Sequence, residues 1–172
     1  MFYKFLLNFF ALVFIFTGTT NAHAAPSPEL ICGKWASTEK NLIIEVYREN
    51  NIYKARIIWF NSGGDAKMMY TTLDDQNPDK SLRSRKVLGM SILKNLSYYP
   101  DKNSWEDGLV YDAKHGREWN ASAYINKKGL LEVRGYWHFK CIGRTLTFKK
   151  VSDDIPELKA MHPDRILANR AN

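Results

Sequence analysis

The stretch Trp119-Asn120-Ala121-Ser122-Ala123-Tyr124-Ile125 decides the fold class, because its side chains alternate between two kinds of surface. Its odd-numbered residues are apolar and would share one face of a β-strand, while Asn120, Ser122 and Tyr124 would share the other. The chain then turns at Lys127-Lys128-Gly129, and the alternation resumes over residues 131–137. Two alternating segments joined by a short turn that contains glycine predict an antiparallel hairpin.

Similar segments extend from this hairpin toward both ends of the chain. Leu42–Glu49 and Ile52–Phe60 are predicted to form a second hairpin, joined by the turn residues at 49–51. The other predicted strands are residues 30–37, 68–73, 87–96, 109–111 and Gly143–Val151. About eight to ten short strands with almost no helical periodicity predict one all-β domain, a single antiparallel up-and-down β-barrel.

The N-terminal residues have the pattern of a secretory signal peptide. Lys4 precedes an apolar run at 5–16, and Ala22-His23-Ala24 provides a small-residue cleavage site. The run is shorter than the roughly 20 residues that span a bilayer, and no later segment is longer, so no transmembrane segment is expected after cleavage. We expect a signal peptide at 1–24, a barrel domain at 25–151 and a periplasmic or secreted protein.

Residues 152–172 differ from the barrel, because they are polar and lack strand alternation. Asp154 as an N-cap and Pro156 in the first turn predict a short helix, so this tail is expected to be partly helical.

The chain is basic, with 25 Lys and Arg against 18 Asp and Glu and a formal net charge of +7. Such a charge favours anionic partners, but the basic residues are spread without a run of four, so solubility alone explains them as well. An exported protein is not expected to bind nucleic acid.

Several residues resemble known barrel families. Gly33-Lys34-Trp35 and Arg144 are similar to residues of the lipocalin-like (calycin) barrels, in which the tryptophan closes one end and an arginine of the last strand packs across it. The resemblance therefore implies that Gly33, Trp35 and Arg144 close the barrel. A cation stacked on an indole ring is a favourable contact.

The order of further motifs is more specific. They are Asp75-Gln76-Asn77-Pro78-Asp79, Leu82-Arg83, Leu88-Gly89, Trp105, Asp107-Gly108, Tyr111-Asp112, Gly116, Val133-Arg134-Gly135-Tyr136 and Gly143-Arg144-Thr145. Over residues 33–151 they resemble the exported bacterial family catalogued as domain of unknown function 2147. This resemblance implies a lipocalin-like barrel and no particular activity. The chain departs from the family pattern at Phe148, where tryptophan is expected, and in its polar tail.

The loop over residues 74–85 carries the densest charge between predicted strands. Asp75, Asn77 and Asp79 mimic the start of a calcium loop, but the sixth and twelfth positions, which need Gly and Glu, hold Lys80 and Lys86. No metal and no cofactor is therefore expected. The three residues are predicted to order the loop. Arg83 and Arg85 either pair with nearby carboxylates or clamp an anionic ligand.

The aromatic content is high enough to suggest a ligand pocket. A barrel of this size either fills with side chains or holds one small ligand. In the second case Trp59, Tyr111, Trp119 and Trp137 would form the walls and Arg83 and Arg85 would lie near the mouth. These residues suit a small apolar or anionic amphiphilic ligand.

Two other functions remain open on the sequence. A hydrolase of a cell-envelope component could use Asp75, Asp112 or His115, but no nucleophile motif accompanies them, so no catalytic residue is assigned. A structural envelope protein would have a filled barrel and an unidentified protein partner. We expect a binding protein rather than an enzyme.

The two cysteines, Cys32 and Cys141, form an even set that an oxidising compartment could join in a disulfide. If the first and last strands pair, however, Cys32 lies near Val151 and not near Cys141. The bridge then requires a segment to fold across one barrel end, and both the bonded and the free state remain open.

Overall fold

The computed structural model describes residues 27–63, 66–152 and 156. The predicted signal peptide at 1–24 lies outside these residues, and so does nearly all of the tail at 152–172. Both therefore stay predictions.

Eight antiparallel strands form a closed barrel in which each strand pairs with its neighbours in sequence. The first and last strands close it, with Lys34 opposite Val151. The prediction of an all-β, up-and-down antiparallel barrel is confirmed, with eight strands. The strands are β1 Gly33–Ser37, β2 Leu42–Glu49, β3 Ile52–Phe60, β4 Ser91–Tyr99, β5 Ser104–Asp112, β6 Arg117–Ile125, β7 Leu131–Tyr136 and β8 Gly143–Val151.

Helices occur only as short segments among the described residues. Three 3-10 helices lie at Pro28–Ile31, Lys80–Leu82 and Pro100–Lys102, and one α-helix, α1, lies at Ala66–Thr71. The expected strand at 68–73 is thus wrong. Because β3 pairs directly with β4, the closed barrel has no position for a strand between them. The segment instead forms a helical turn, and Thr72 donates its amide to the carbonyl of Met68 at 2.8 Å.

The antiparallel order places alternate connections at opposite ends of the barrel. The β1–β2, β3–β4, β5–β6 and β7–β8 connections lie at one end, which we call the open end. The β2–β3, β4–β5 and β6–β7 turns lie at the other end together with the helix Pro28–Ile31, and we call this the closed end.

The core runs through the barrel and continues under the β3–β4 connection, where Val87 and Met90 are buried. Its largest fully buried side chains are Trp35, Tyr53, Trp105 and Phe148. Trp35 anchors the entering chain, because its indole Nε1 donates to the carbonyl of Ile31 at 2.7 Å. A full set of buried aromatic and aliphatic side chains contributes most of the barrel's hydrophobic stabilisation.

The cation over Trp35 is Lys150, not Arg144. The Lys150 ammonium lies 5.3 Å from the indole centroid, and the two residues are directly paired between β1 and β8. Arg144 is opposite Gly135 instead. It precedes Lys150 by six residues on the same strand, or roughly 20 Å. The expected barrel-closing contact of Arg144 is therefore wrong.

Cys32 and Cys141 are both free thiols. Cys32 precedes β1 at the closed end, whereas Cys141 lies in the β7–β8 connection at the open end. The length of β8 separates these ends by roughly 25 Å, while a disulfide requires Cα atoms within about 7 Å. The disulfide left open on the sequence is therefore ruled out within one folded chain.

Candidate functional site at the open end of the barrel

The barrel interior becomes more accessible from the closed end to the open end. Along β7, Leu131 is 0% exposed and Val133 is 5% exposed, whereas Gly135 is half-buried. Their partners on β8 follow the same order: Phe148 is 1% exposed, Leu146 is half-buried and Arg144 is exposed. Since paired residues share a face of the sheet, the inward face of β7 and β8 is filled in the middle of the barrel and becomes accessible toward the open end.

The neighbouring strand β6 shows the same gradient. Ala123 and Ala121 are completely buried, and Trp119, next on that face, is half-buried. A Cβ atom placed on Gly135 would lie 3.1 Å from Val110 Cγ1 and 3.8 Å from Trp119 Cβ. The inner side of the mouth is therefore formed by Trp119, Val110 and the backbone of Gly135.

Two tryptophans form the aromatic part of this mouth. The rings of Trp119 and Trp137 meet edge to face, with centroids 5.3 Å apart and an interplanar angle of 74°. The His138 ring also contacts Trp137, with centroids 5.5 Å apart and an interplanar angle of 66°. Trp137 is 55% exposed even with these contacts, so much of its ring is free to contact another molecule.

A groove of about 200 Å³ adjoins the tryptophan pair. Part of its lining is a row of directly paired residues on the outer face of the wall, Leu109, Asn120 and Tyr136, which crosses β5, β6 and β7. Glu118 and His138 complete the lining with the two tryptophans. The groove therefore combines aromatic surface with carboxylate, amide, phenol and imidazole groups.

Arg144 supplies a cation at the same mouth. It occupies the position of the inward-facing row of β8 that is nearest the open end, and its side chain is 80% exposed. Its guanidinium lies 3.7 Å from the Glu39 carboxylate in the β1–β2 connection. Such an exposed pair contributes little to stability, so Arg144 can exchange Glu39 for another anion at low cost.

Trp59 also lies at the open end. It is half-buried on β3, opposite Ile43 of β2. Among the described residues, no ring contact joins it to the Trp119–Trp137 pair. Of the four aromatic residues predicted to form the pocket wall, the structure brings Trp119 and Trp137 together. Trp59 lies elsewhere on the rim of the open end.

Tyr111 and Arg85 belong to a different site, a buried polar network under the β3–β4 connection. The centre of this network is Asp74, which is 0% exposed. Its carboxylate accepts from Tyr111 Oη at 2.7 Å, from Asn77 Nδ2 at 2.7 Å and from Arg85 Nη2 at 2.5 Å. The Arg85 guanidinium also lies 5.7 Å from the Tyr111 ring centroid. These groups are engaged with one another and do not line the mouth.

The β3–β4 connection is further ordered by its own side chains. The side-chain oxygen of Asn77 accepts from the amide of Asp79, and Asp79 in turn caps the helix Lys80–Leu82 through the Ser81 amide, both at 2.9 Å. Arg83 Nε donates to the Asn77 carbonyl at 2.7 Å. Asp75 is exposed, and the buried carboxylate is its neighbour Asp74, which the sequence did not distinguish.

The network changes the proton affinity of both of its acidic groups. Burial alone would raise the pKa of Asp74, but the hydrogen bonds from Asn77, Tyr111 and Arg85 outweigh it and hold that pKa below its ordinary value. Burial, together with the hydrogen bond to Asp74, raises the pKa of Tyr111 to about 12. The network therefore keeps an ionised carboxylate and a neutral phenol.

Asp112 and His115 form an exposed pair in the β5–β6 turn. Their Oδ2 and Nδ1 atoms are 2.6 Å apart. Among the described residues, no hydroxyl or thiol bonds to this pair. No group of three metal-ligating side chains occurs among those residues either. The geometry gives no support to a role in hydrolysis.

Residues 33–150 match the model of a family described as an uncharacterised protein conserved in bacteria, DUF2147. The chain belongs to this family. This family member also resembles a solved structure described as "Protein HP1028 from the human pathogen Helicobacter pylori belongs to the lipocalin family". The two are 25% identical with a TM-score of 0.62, over 72% of this chain and 84% of the other. No curated protein matches the chain.

The matched fold agrees with the lipocalin-like resemblance read from the sequence. Among the described residues, no helix is long and apolar enough to cross a membrane.

Proposed function

We propose that this protein is exported and binds a small amphiphilic ligand at the open end of the barrel. The single observation that carries the proposal is the burial gradient along β6, β7 and β8, in which Ala123, Leu131 and Phe148 are buried whereas Trp119, Gly135 and Arg144, nearer the open end, are accessible. If the barrel were filled at this side of the open end, Trp119 and Arg144 would be as deeply buried as Ala123 and Phe148. The lipocalin-like fold supports the proposal, because barrels of this size can hold one small ligand.

The chemistry of the mouth defines the ligand class. The exposed faces of Trp119 and Trp137 suit an apolar chain or ring. Arg144 adds a guanidinium that can bind a carboxylate, sulfate or phosphate group bidentately. The ligand is therefore an anionic amphiphile, with its apolar part against the tryptophans and its head group at Arg144.

The predicted positions of the binding cations change as a result. Arg83 and Arg85 were expected near the mouth, but their guanidinium groups bond to the Asn77 carbonyl and the Asp74 carboxylate. Arg144 takes the anion-binding role in this proposal. Export rests on the signal-peptide pattern of residues 1–24.

Calorimetric titration with dodecyl phosphate and with dodecanol tests the site. Trp137→Ala should weaken both ligands by about tenfold, because one aromatic contact is worth somewhat more than 1 kcal/mol. Arg144→Gln should weaken dodecyl phosphate and leave dodecanol unchanged. Tyr99→Ala is the matched control, since Tyr99 is an exposed aromatic residue at the closed end.

Two outcomes contradict the proposal. One is the absence of heat from either ligand at concentrations below micelle formation. The other is binding that is equally strong in wild type, Trp137→Ala and Arg144→Gln, which would place the ligand elsewhere on the protein.

A further inference from the structure

The β7–β8 connection exposes three large apolar side chains within six residues. Residues 137–142, which we call the apolar loop, include Trp137 at 55% exposure and Phe139 and Ile142 at 67% each. These last two values are the highest among the exposed large apolar side chains of the described residues. A concentrated apolar surface of this kind indicates contact with another molecule or with a membrane.

The apolar loop is fixed by hydrogen bonds and by an ion pair to the barrel. Phe139 and Ile142 flank a tight turn in which the Ile142 amide donates to the Phe139 carbonyl at 3.0 Å. Lys140, between them, is fixed at two points. Its ammonium pairs with the Glu106 carboxylate, which is largely buried, and its carbonyl accepts from Arg134 Nε at 2.5 Å. These anchors hold the polar part of the loop against the barrel wall and leave its apolar side chains exposed.

The charge around this loop is positive. Each end consists of its connections with one strand residue on either side, and the closed end also includes Ser27 to Cys32. The open-end segments 37–42, 60–91, 112–117 and 136–143 hold nine Lys or Arg against six Asp or Glu. The closed-end segments 27–33, 49–52, 99–104 and 125–131 hold three of each sign. Asp74 and Arg85, which pair with each other, belong to these two counts and leave the excess of three positive charges unchanged. The open end therefore presents both the exposed apolar side chains and an excess of positive charge.

We propose that the open end docks on the surface of a lipid bilayer that contains anionic lipid, with the apolar loop inserted at headgroup depth. Tryptophan and phenylalanine beside lysine and arginine form the combination that favours the membrane interface. Basic side chains near an anionic surface strengthen the attachment, and the effect is largest at low salt. Docking does not depend on ligand binding, although it would turn the barrel mouth toward the bilayer.

Cys141 offers a direct probe, because it lies within the apolar loop and is exposed. Cys32 is half-buried, and burial raises its pKa to about 11, so near neutral pH a maleimide carrying an environment-sensitive fluorophore reacts selectively at Cys141. Vesicles of phosphatidylcholine with phosphatidylglycerol should shift its emission to the blue. Brominated lipids should quench it.

The control label distinguishes the open end from the rest of the chain. In Cys141→Ser combined with Lys128→Cys, the fluorophore lies in the β6–β7 turn at the closed end. The described chain also begins at the closed end, at Ser27. Binding through the N-terminal apolar residues would therefore affect the Lys128→Cys label, whereas docking of the open end would affect only the Cys141 label.

Substitution of the apolar loop tests the contact without disturbing the core. Phe139→Asp with Ile142→Asp should lower the vesicle partition coefficient by about tenfold or more, since two apolar side chains no longer insert. Leu30→Asp, at an exposed apolar residue of the closed end, should leave it unchanged. Circular dichroism verifies that each variant remains folded.

Three results would overturn the docking proposal. The first is a Cys141 label that does not respond to vesicles, and the second is equal partitioning onto neutral and anionic vesicles at low salt. The third is self-association without lipid that is lost in the Phe139→Asp and Ile142→Asp variant, which would make a second copy of the chain the partner. Failure of the ligand titration with a positive vesicle result would reject the ligand site alone.

Discussion

The carboxylate of Asp74 and the phenol of Tyr111 lie 2.7 Å apart although 37 residues separate them in the chain. This bond joins the long β3–β4 connection to the wall of the barrel. Arg85 and Asn77 also donate hydrogen bonds to the Asp74 carboxylate. The β5–β6 turn packs on the same connection, since Gly116 is in contact with the backbone at Gln76. A segment that the sequence shows only as a charged loop is thus part of the folded body.

Asp74→Asn should destabilise the protein by about 3 kcal/mol, because it removes the buried anion that Tyr111, Asn77 and the half-buried Arg85 share. The figure is below the upper range for buried pairs because the Arg85 side chain is 34% exposed and can recover some hydration. Urea unfolding at neutral pH measures the loss. Asp75→Asn is the matched control at the exposed neighbouring position and should change stability by less than about 0.5 kcal/mol.

The same network predicts a pH dependence. The pKa of Asp74 is lowered in the folded protein, so its ionised form is favoured by folding. Its contribution is fully present above its unfolded pKa of about 3.9 and is lost as the pH falls through the lower folded value. The stability difference between wild type and Asp74→Asn should therefore be constant from pH 5 to 7 and shrink in stronger acid. A difference that stays constant down to the acid transition would contradict the role of Asp74.

Gly116→Ala should be markedly more destabilising than Gly129→Ala. Both glycines have a positive φ, +61° and +74°, so each alanine has a backbone cost of about 1 kcal/mol. At Gly116 the new Cβ would also lie 1.8 Å from the Gln76 carbonyl oxygen, while at Gly129 nothing lies within 4 Å. The clash forces the β3–β4 connection away from the turn. Thermal unfolding of the two variants compares these costs, and equal losses would mean that the contact is not rigid.

Thiol titration without reductant should find two free cysteines with different rates. Cys141 is exposed and should react rapidly at pH 8, whereas Cys32 should react slowly, because its raised pKa of about 11 keeps it protonated. Cys141→Ser should remove only the fast phase. Protein that shows no titratable thiol even after denaturation would contradict the separation of the two residues at opposite ends.

Lys150→Ala should lower stability by about 0.5–1 kcal/mol, the usual value of a cation–π contact made by an exposed cation such as Lys150. Its ammonium lies over Trp35 and also donates to the Leu30 carbonyl at 3.1 Å. Lys149→Ala, one residue away and exposed on the strand, serves as the control. Arg144→Ala should leave stability unchanged, and a loss as large as that of Lys150→Ala would restore the closing role to Arg144.

The pattern of residues 119–137 was sufficient to predict the hairpin of β6 and β7 and, with the neighbouring segments, an antiparallel barrel. The alternation is local information, because a strand that buries one face needs apolar residues at every second position. The segment at 68–73 was predicted wrongly, because its short apolar run fits a helix turn as well as a strand. Only the direct pairing of β3 with β4 decides between them.

The functional residues depended on contacts that no local pattern encodes. The sequence singled out Trp119 and Trp137 but could not show that their rings meet, nor that Tyr111 turns to Asp74 instead of to the mouth. The resemblance assigned the cation over Trp35 to Arg144, which lies at the other end of the same strand. Lys150 lies over Trp35 because of the β1–β8 register.

By itself, the sequence determined most of the strands, the single all-β domain and the resemblance to a lipocalin-like family, because side-chain alternation and turn chemistry act over a few residues. The tertiary structure alone decided which end of the barrel is sealed, which carboxylate is buried and which cation stands at the mouth. Those outcomes depend on strand register and on the path of the β3–β4 and β7–β8 connections, where residues distant in sequence exclude water from one another.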